Sequence, residues 1–473
     1  MMTEQLSVQM QGSMWEEAIG VVTMLEQRGY QAYMVGGCVR DLVMSRSIND
    51  IDIATSALPE QVAAMFERVI PTGMEHGTVT VLTAGHAYEV TTFRKESAYE
   101  NFRRPEQVEF IDDLREDLLR RDFTVNAMAL DAAGVLHDPF QGQTDVATRR
   151  IRCVGDPEAR FQEDALRMLR GIRFASILEA RIVKSTWRAL RTHREKLQHI
   201  AMERVRDELW KMTAGPQPVR GWVLLVRSGL LTHTKDSLEC LASARVEHWA
   251  PLWCALEKVD GADLRFAVLL LGHRVEGPEA KRIMNALRLS NAQQDRLLRI
   301  LRVQELVAAH EQHKARVACD SRMSHAEIEN DTERIDVDKQ LMGSQKVAEF
   351  ALKCMWAGTL FSCGEEALQQ WLQCCAALTV STRPAATLLT PAGSDELKCI
   401  LLQQGQAWLD DIPVRSLRDL AISGTDILQM TSRPSGSWLK SLLEAAWMAI
   451  ALKELPNDRI RLLKWIEHRL EEQ

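Results

Sequence analysis

Apolar residues recur three and four positions apart through "WEEAIGVVTMLEQRGY", residues 15 to 30, and this spacing predicts an amphipathic helix. "QAYMVGG" then reads as a short strand ending at Gly36-Gly37, after which "CVRDLVMSR" resumes helical spacing. "DIDIAT" and "TVTVLTAGHAYEVTTFR" alternate apolar and polar positions as half-buried strands do. From "DVATRRIRCVGDPEARFQEDALRMLRGIRFA" onward the period is helical almost throughout. "LLTPAGSDELK" and "TSRPSGSW" read as loops, and the polar stretch from about residue 310 to 345 as an exposed hinge, an insertion or a helix pair. There is no fixed-period repeat. The pattern is a mixed α/β head to about residue 148, followed by a long helical remainder.

Composition narrows the classes. A chain of 473 residues exceeds one core and should divide into about three or four domains. Hydrophobic residues make up 46% and charged residues 26%, as in ordinary globular proteins. No segment approaches the ~20 apolar residues of a membrane span, and the first residues have neither a basic region nor an apolar core, so a cytoplasmic protein with no membrane partner is expected. Ten cysteines lack C-x-x-C spacing and read as reduced, mostly buried thiols. A net charge of −7 argues against coating nucleic acid along the whole surface, while 58 Lys and Arg leave material for a local basic groove.

The candidate chemistry begins with Asp50 and Asp52. On a strand they point the same way, with Cα atoms about 7 Å apart, while Ile51 and Ile53 face the core. Two such carboxylates repel unless a cation lies between them, and oxygen-only donors suit Mg²⁺. For an isolated D-x-D a solvated strand end is the commoner explanation. Upstream, Gly36-Gly37 joins a strand to a helix, where bare backbone can approach a phosphate and Arg40 can add a charge-assisted contact; a plain tight turn is the alternative. Taken together, the two features describe a triphosphate site whose carboxylate pair could hold two Mg²⁺ ions about 3.5–4 Å apart. Glu89 offers a third carboxylate for this catalytic cluster, or a strand-face partner for Arg94 or Lys95.

Six motifs in order, "MVGGCVRD…NDIDIATSALPE", "HGTVTV", "YEVTTFR", "EDLLRRDFTVNAMALD", "DPFQGQTD" and "RFQEDALRMLRGIRFA", resemble those of bacterial tRNA nucleotidyltransferases of the CCA-adding and poly(A) polymerase superfamily. The resemblance is dense from residue 20 to about 180 and returns faintly at "ISGTDILQMTSRPSGSWLKSLLEAAW". It implies a polymerase-β-like nucleotidyltransferase head, with a mixed sheet and helices, followed by an all-α neck, body and tail. The expected limits are 1–148 for the head, 149–216 for the neck with its base-reading helix, 217–306 for the body and 307–473 for a tRNA-binding tail. The resemblance further implies that Gly37, Arg40 and Arg121 contact the nucleotide and that Asp50 and Asp52 are the catalytic magnesium ligands. Asp164 and Arg167 match the pair that reads the incoming base, Arg170 and Arg173 follow on the same helix, and Glu163 positions the motif.

Spacing by three aligns Asp164, Arg167, Arg170 and Arg173 along one helix ridge beside the apolar ridge of Leu166, Leu169 and Ile172. A solvated face with an intrahelical Asp-Arg pair is one reading; base recognition is the other. Cytosine and adenine both offer a ring-nitrogen acceptor beside an amino donor, whereas uracil and guanine offer a ring N–H beside a carbonyl. An arginine next to an aspartate accepts the first two and leaves polar groups unpaired with the others.

"KESAYENFRRPEQVEFIDDLREDLL", with Arg103-Arg104-Pro105, reads as a polar surface loop; in the family the matching loop is flexible and helps switch the site from C to A, and here it is full length. "RRIRCVGDPEARF" and "RALRTHREKLQH" supply basic surface suited to acceptor-stem phosphates. "LHDPF" lacks the neighbours a hydrolase metal site needs. The expectation is a template-independent enzyme that adds C, C and A to tRNA from CTP and ATP with Mg²⁺. A CC-adding enzyme, a poly(A) polymerase and a non-catalytic RNA-binding relative are the alternatives, and both a monomer and a homodimer are compatible with the sequence.

Overall fold

The computed structural model describes residues 10, 12–100, 104–241, 250–325, 337–380 and 394–471. These form two compact units, one of residues 1–243 with 286–288 and one of residues 244–285 with 289–473.

The first unit is built on a seven-stranded mixed sheet. Helix α1 (Ser13–Gln27) buries Trp15, Ala18, Val21, Val22 and Leu25, the three-and-four stripe of the sequence. Strand β1 (Ala32–Val35) follows, then α2 (Gly37–Val43), β2 (Asp52–Thr55), α3 (Pro59–Met65), β3 (Val69–Gly73), β4 (Thr78–Leu82) and β5 (Ala87–Thr92). The sheet order is β3-β4-β5-β2-β1, closed by two short strands near Ala129 and Leu136. β2 lies antiparallel to β1, with Val35 opposite Asp52, and parallel to β5, with Ile53 opposite Val90. Helix α1 packs over Met34, Ile53 and Val90 on one side, and Val35, Ala54, Phe93, Leu118 and Ala129 form a second cluster. Each fully buried aliphatic side chain contributes about 1.5–3 kcal/mol, so the strand pair that carries Asp52 sits on a firm base.

Residues 94–110 differ from the expected loop. Strands β6 (Arg94–Glu100) and β7 (Arg104–Phe110) pair antiparallel from Arg94–Phe110 to Glu100–Arg104. They form a two-stranded ladder apart from the main sheet, so no alternating apolar face is required and the periodicity gives no strand signal. Arg103 lies outside the described residues.

Beyond α4 (Leu114–Leu119) and α5 (Gly142–Ala147) the unit becomes helical: α6 (Pro157–Glu163), α7 (Leu166–Ile177), α8 (Lys184–Thr192), α9 (Met202–Ala214) and α10 (Pro218–Ser228). Helix α7 is buried along most of its length and packs on α9 and α10.

The second unit is helical among its described residues, with buried Trp356, Trp371 and Trp447 in its interior. The polar stretch from 310 to 345 resolves toward a helix pair: one helix runs Asn291–His325 and the next Val337–Cys363. Of the expected loop at 388–398, residues 388–393 lie outside the described residues and Ser394–Lys398 are instead the first turn of the helix Ser394–Asp411, while 431–436 is non-helical before the helix Ser437–Ala451. Among the described residues no helix is long and apolar enough to cross a membrane, and nine cysteines are free, five of them buried.

Candidate active site

One cavity of about 700 Å³ in the first unit gathers every site residue the sequence singled out: Gly37, Arg40, Asp50, Asp52, Glu89, Arg121, Asp164, Arg167, Arg170 and Arg173 all line it. Two placements differ from the sequence reading. Asp50 stands in the irregular segment before β2, because the strand starts only at Asp52. Asp164 is not on the helix ridge: its extended backbone (φ −135°, ψ 107°) breaks the chain between α6 and α7. There its carboxylate accepts from the Leu166 amide at 2.9 Å, the work of a helix cap.

Asp50, Asp52 and Glu89 are all exposed to the cavity, and among the described residues none of their carboxylates has a hydrogen-bond or ion-pair partner. The position before the Ile53–Val90 pair sets Asp52 beside Glu89 across β2 and β5. The alternative pairing of Glu89 does not form: Arg94 donates to the His76 carbonyl, and Lys95 faces Glu116. Crowding by the surrounding protein, with the fields of Asp50 and Glu89 added, lifts the Asp52 carboxyl to about 6 against the opposing pull of Arg121. Asp50 and Asp52 are unpaired oxygen donors on one cavity wall, the donor type a divalent cation takes. Among the described residues no three of His, Cys, Asp and Glu come together closely enough to hold a metal by themselves. In the His137-Asp138 dipeptide, His137 meets Asp131 at 3.3 Å while Asp138 accepts from the Gly142 and Gln143 amides.

The opposite wall is cationic and braced. Arg40 donates to Asp41 and Asn126 at 2.7 Å each. Arg121 reaches Asp117 at 3.4 Å, and its buried Nε has no partner. Arg170 donates to Asp122 at 2.7 Å; burial alone would raise the Asp122 carboxyl, but Arg170 and the Asn126 amide outweigh it and hold it at about 2. Arg40, Arg170 and Arg173 stand 5.4, 5.3 and 4.2 Å from the Phe174 ring centre, so one aromatic ring serves three guanidinium groups.

Arg167 is buried and held at three points: Glu163 at 2.6 Å and the carbonyls of Arg120 and Arg160 at 2.8 and 3.4 Å. The expected positioning role of Glu163 thus has a physical form. Asp164 is held by Arg204 at 3.0 Å, and Arg173 by Glu208 at 2.6 Å. Arg204 and Glu208, one turn apart on α9, were not among the sequence candidates. A signal was available: Glu208 interrupts the apolar stripe Val205, Leu209, Met212, and a charge at a core position implies a buried partner.

Gly36, rather than Gly37, carries the constraint at the strand-to-helix turn. Its φ of +79° favours glycine, and a Cβ there would lie 2.9 Å from a terminal nitrogen of Arg121. Gly36→Ala is expected to displace Arg121 and raise the KM for nucleotide about tenfold or more with a smaller loss of stability; an unchanged KM in steady-state assays would remove Arg121 and this turn from nucleotide binding.

Comparison with known proteins agrees along the chain. Residues 32–152 match the family model described as poly A polymerase head domain, 181–239 the probable RNA and SrmB-binding site of polymerase A, and 359–466 the putative tRNA nucleotidyltransferase domain 2. The CCA-adding enzyme of Geobacillus stearothermophilus is 35% identical over 459 residues, covering 96% of this chain and 97% of that one. The CCA-adding enzyme of Bacillus cereus strain G9842 is 51% identical over 219 residues, 46% of this chain and 55% of its own. Among solved structures, that of the Bacillus stearothermophilus CCA-adding enzyme in complex with CTP superposes with a TM-score of 0.72 at 31% identity, over 98% of this chain and 99% of that one. Alignment with the Geobacillus stearothermophilus enzyme over nearly the full length of both chains, with a mixed-sheet head and helical remainder to match, makes this chain a member of the CCA-adding enzyme family of nucleotidyltransferases.

Proposed function

We propose that this protein adds C, C and A to the 3′ end of tRNA from CTP and ATP, without a nucleic-acid template, in the cytoplasm. The observation that carries the reading is the single cavity in which the unpaired carboxylates Asp50, Asp52 and Glu89 face a braced arginine wall and the Asp164–Arg167 corner. Residues 1–148 are then the catalytic head, 149–216 the base-reading neck, and 217–306 and 307–473 the body and tail that hold tRNA.

Asp50 and Asp52 would hold Mg²⁺, which when bound supplies Lewis acidity and offsets phosphate charge at the reacting centre. Glu89, on the strand beside Asp52, adds to the negative field that draws the cation in. Arg40, Arg121 and Arg170 receive the triphosphate, braced so that little reorganisation is needed as charge shifts to the leaving pyrophosphate. The 3′-hydroxyl of the RNA attacks the α-phosphorus in line, and positioning supplies much of the acceleration. Asp164 accepts from the amino group of cytosine or adenine while Arg167 faces the ring nitrogen. Incorporation of CTP and ATP into a tRNA transcript that ends before its CCA tests the reading: it is expected with Mg²⁺ and absent with a chelator, and chelator-resistant incorporation would contradict it.

The raised Asp52 carboxyl sets a pH dependence. Its folded pKa of about 6 lies above the ordinary carboxyl value, so the protonated form favours the fold at low pH and that advantage is lost as pH rises through 6. Above pH 6 the metal-free protein carries the ionised group at a cost of about 1 kcal/mol, discounted because the cavity is open to water. Asp52→Asn is therefore expected to raise the Tm of metal-free protein at pH 7.5 but not at pH 4. Mg²⁺ should stabilise the parent far more than the variant, and equal Mg²⁺ stabilisation of both would remove Asp52 from the metal site.

A further inference from the structure

Asp117, near the end of α4, is fully buried, yet its carboxylate accepts from three residues. Oδ1 accepts from the Arg94 backbone amide at 3.3 Å and from Arg120 at 2.7 Å, and Oδ2 from Arg121 at 3.4 Å. Arg120 and Arg121 lie three and four residues further along the chain, the spacing of ordinary pairs at a helix surface. Two features set this group apart from such pairs. Burial alone would raise the Asp117 carboxyl, but Arg120 and Arg121 outweigh it and hold it below the ordinary carboxyl range, so a full charge sits inside the fold. The third donor comes from a different element: Arg94 opens β6, opposite Phe110, at the base of the ladder that stands apart from the main sheet. That base is fastened elsewhere too, where the Arg94 side chain donates to the His76 carbonyl and the Ile111 amide to the Phe93 carbonyl at 3.0 Å.

We propose that Asp117 is a positioning residue for nucleotide binding, whose buried carboxylate sets Arg121 in the cavity wall and ties it to the base of the β6–β7 ladder. Arg121 lines the cavity together with Arg94 and Arg120. One terminal nitrogen of Arg121 meets Asp117, while its buried Nε has no partner. A guanidinium held in this way keeps donors for a phosphate, and where it points follows where Asp117 stands. Arg94 and Arg121 share the one carboxylate, so a shift of the ladder at Arg94 alters the hold on Arg121. A triphosphate that draws Arg121 forward alters the hold on Arg94 in turn, because linkage of this kind is reciprocal. The Arg120 carbonyl, at the same helix end, accepts from Arg167 at 2.8 Å, so the base-facing arginine leans on the same support. The inference rests on the nucleotide reading above and adds to it the residue through which the ladder acts on that site.

CTP binding is measured by calorimetry with Mg²⁺ and without RNA, so that no turnover occurs, for the parent, Asp117→Asn, Arg121→Ala and the double variant. Asp117→Asn keeps the shape and one acceptor and is expected to bind CTP about tenfold more weakly, while the double variant binds within about twofold of Arg121→Ala. Equal losses from Asp117→Asn in both backgrounds would make Asp117 merely structural and overturn the proposal. Amide hydrogen exchange reads the link itself. In the parent, saturating CTP slows exchange in β6 and β7. In Asp117→Asn, and in Arg121→Ala, which leaves the buried carboxylate in place, that slowing is lost. Slowing of the parental size in Arg121→Ala overturns the link even if Asp117→Asn fails to fold. If CTP does not bind the parent, the nucleotide reading falls and ligand-free exchange decides the link: Asp117→Asn should quicken it in β6, and equal rates would overturn it.

Discussion

Asp52→Ala is expected to lower nucleotide incorporation by about 10⁴-fold or more, about 5.5 kcal/mol of transition-state stabilisation, while leaving tRNA affinity within about twofold. The size follows from where Asp52 stands. It begins β2, next to the buried Ile53, and faces the cavity between Asp50 and Glu89. Losing it halves the carboxylate pair that would hold the metal; Glu89 stands on the next strand rather than at the Asp52 position, and the acids across the cavity are committed to arginines: Asp117 to Arg120, Asp122 to Arg170, and Asp164 to Arg204. Relieving the repulsion from Asp50 and Glu89 also means the variant should fold at least as well as the parent, so lost activity cannot be ascribed to unfolding. Single-turnover incorporation with tRNA and CTP checks this directly. A variant within tenfold of the parent would refute the metal assignment.

The second large effect concerns base choice. Asp164→Ala and Arg167→Ala are each expected to lower kcat/KM for CTP and ATP by about 10²–10³, and to narrow their preference over UTP and GTP by at least about tenfold. Both side chains are fixed before any nucleotide arrives, Arg167 by Glu163 and two carbonyls, Asp164 by Arg204 and the Leu166 amide. A site fixed in this way cannot turn its donor and acceptor round to suit uracil or guanine, and leaving those groups unpaired is the cost that selects. Competition between all four nucleotides for one transcript measures it. If either variant lost rate with selectivity unchanged, the pair would be holding the site together rather than reading the base.

The sequence was most legible where one residue type answers to one physical demand. The α1 stripe, the buried Ile51 and Ile53, and the strand-to-helix turn at Gly36-Gly37 followed from periodicity and backbone freedom. The aspartate pair, Arg40 at the glycine turn and Glu89 were readable from the residues, but Arg121, Asp164 and Arg167 joined the site through the resemblance, because nothing in their spacing links them to Asp52; only the fold does. The Asp164 ridge failed for an instructive reason. A spacing of three suits a continuous helix, yet the chain breaks at Asp164 so that its carboxylate caps α7 and still faces the cavity. Residues 94–110 were illegible as strands because their ladder stands apart from the main sheet and imposes no alternation. Arg204 and Glu208 were overlooked because charges on an amphipathic helix usually face solvent; here they turn inward to hold Asp164 and Arg173.

The most direct test of the central claim is to incubate the purified protein with Mg²⁺ and a tRNA transcript ending before its CCA, supplying CTP alone, ATP alone, or both, and to sequence the 3′ ends. The account predicts two added C residues with CTP alone, and growth by C, C and A that stops at three nucleotides with both. Growth that halts at two C residues when ATP is present, or an unlimited A tail, would contradict it.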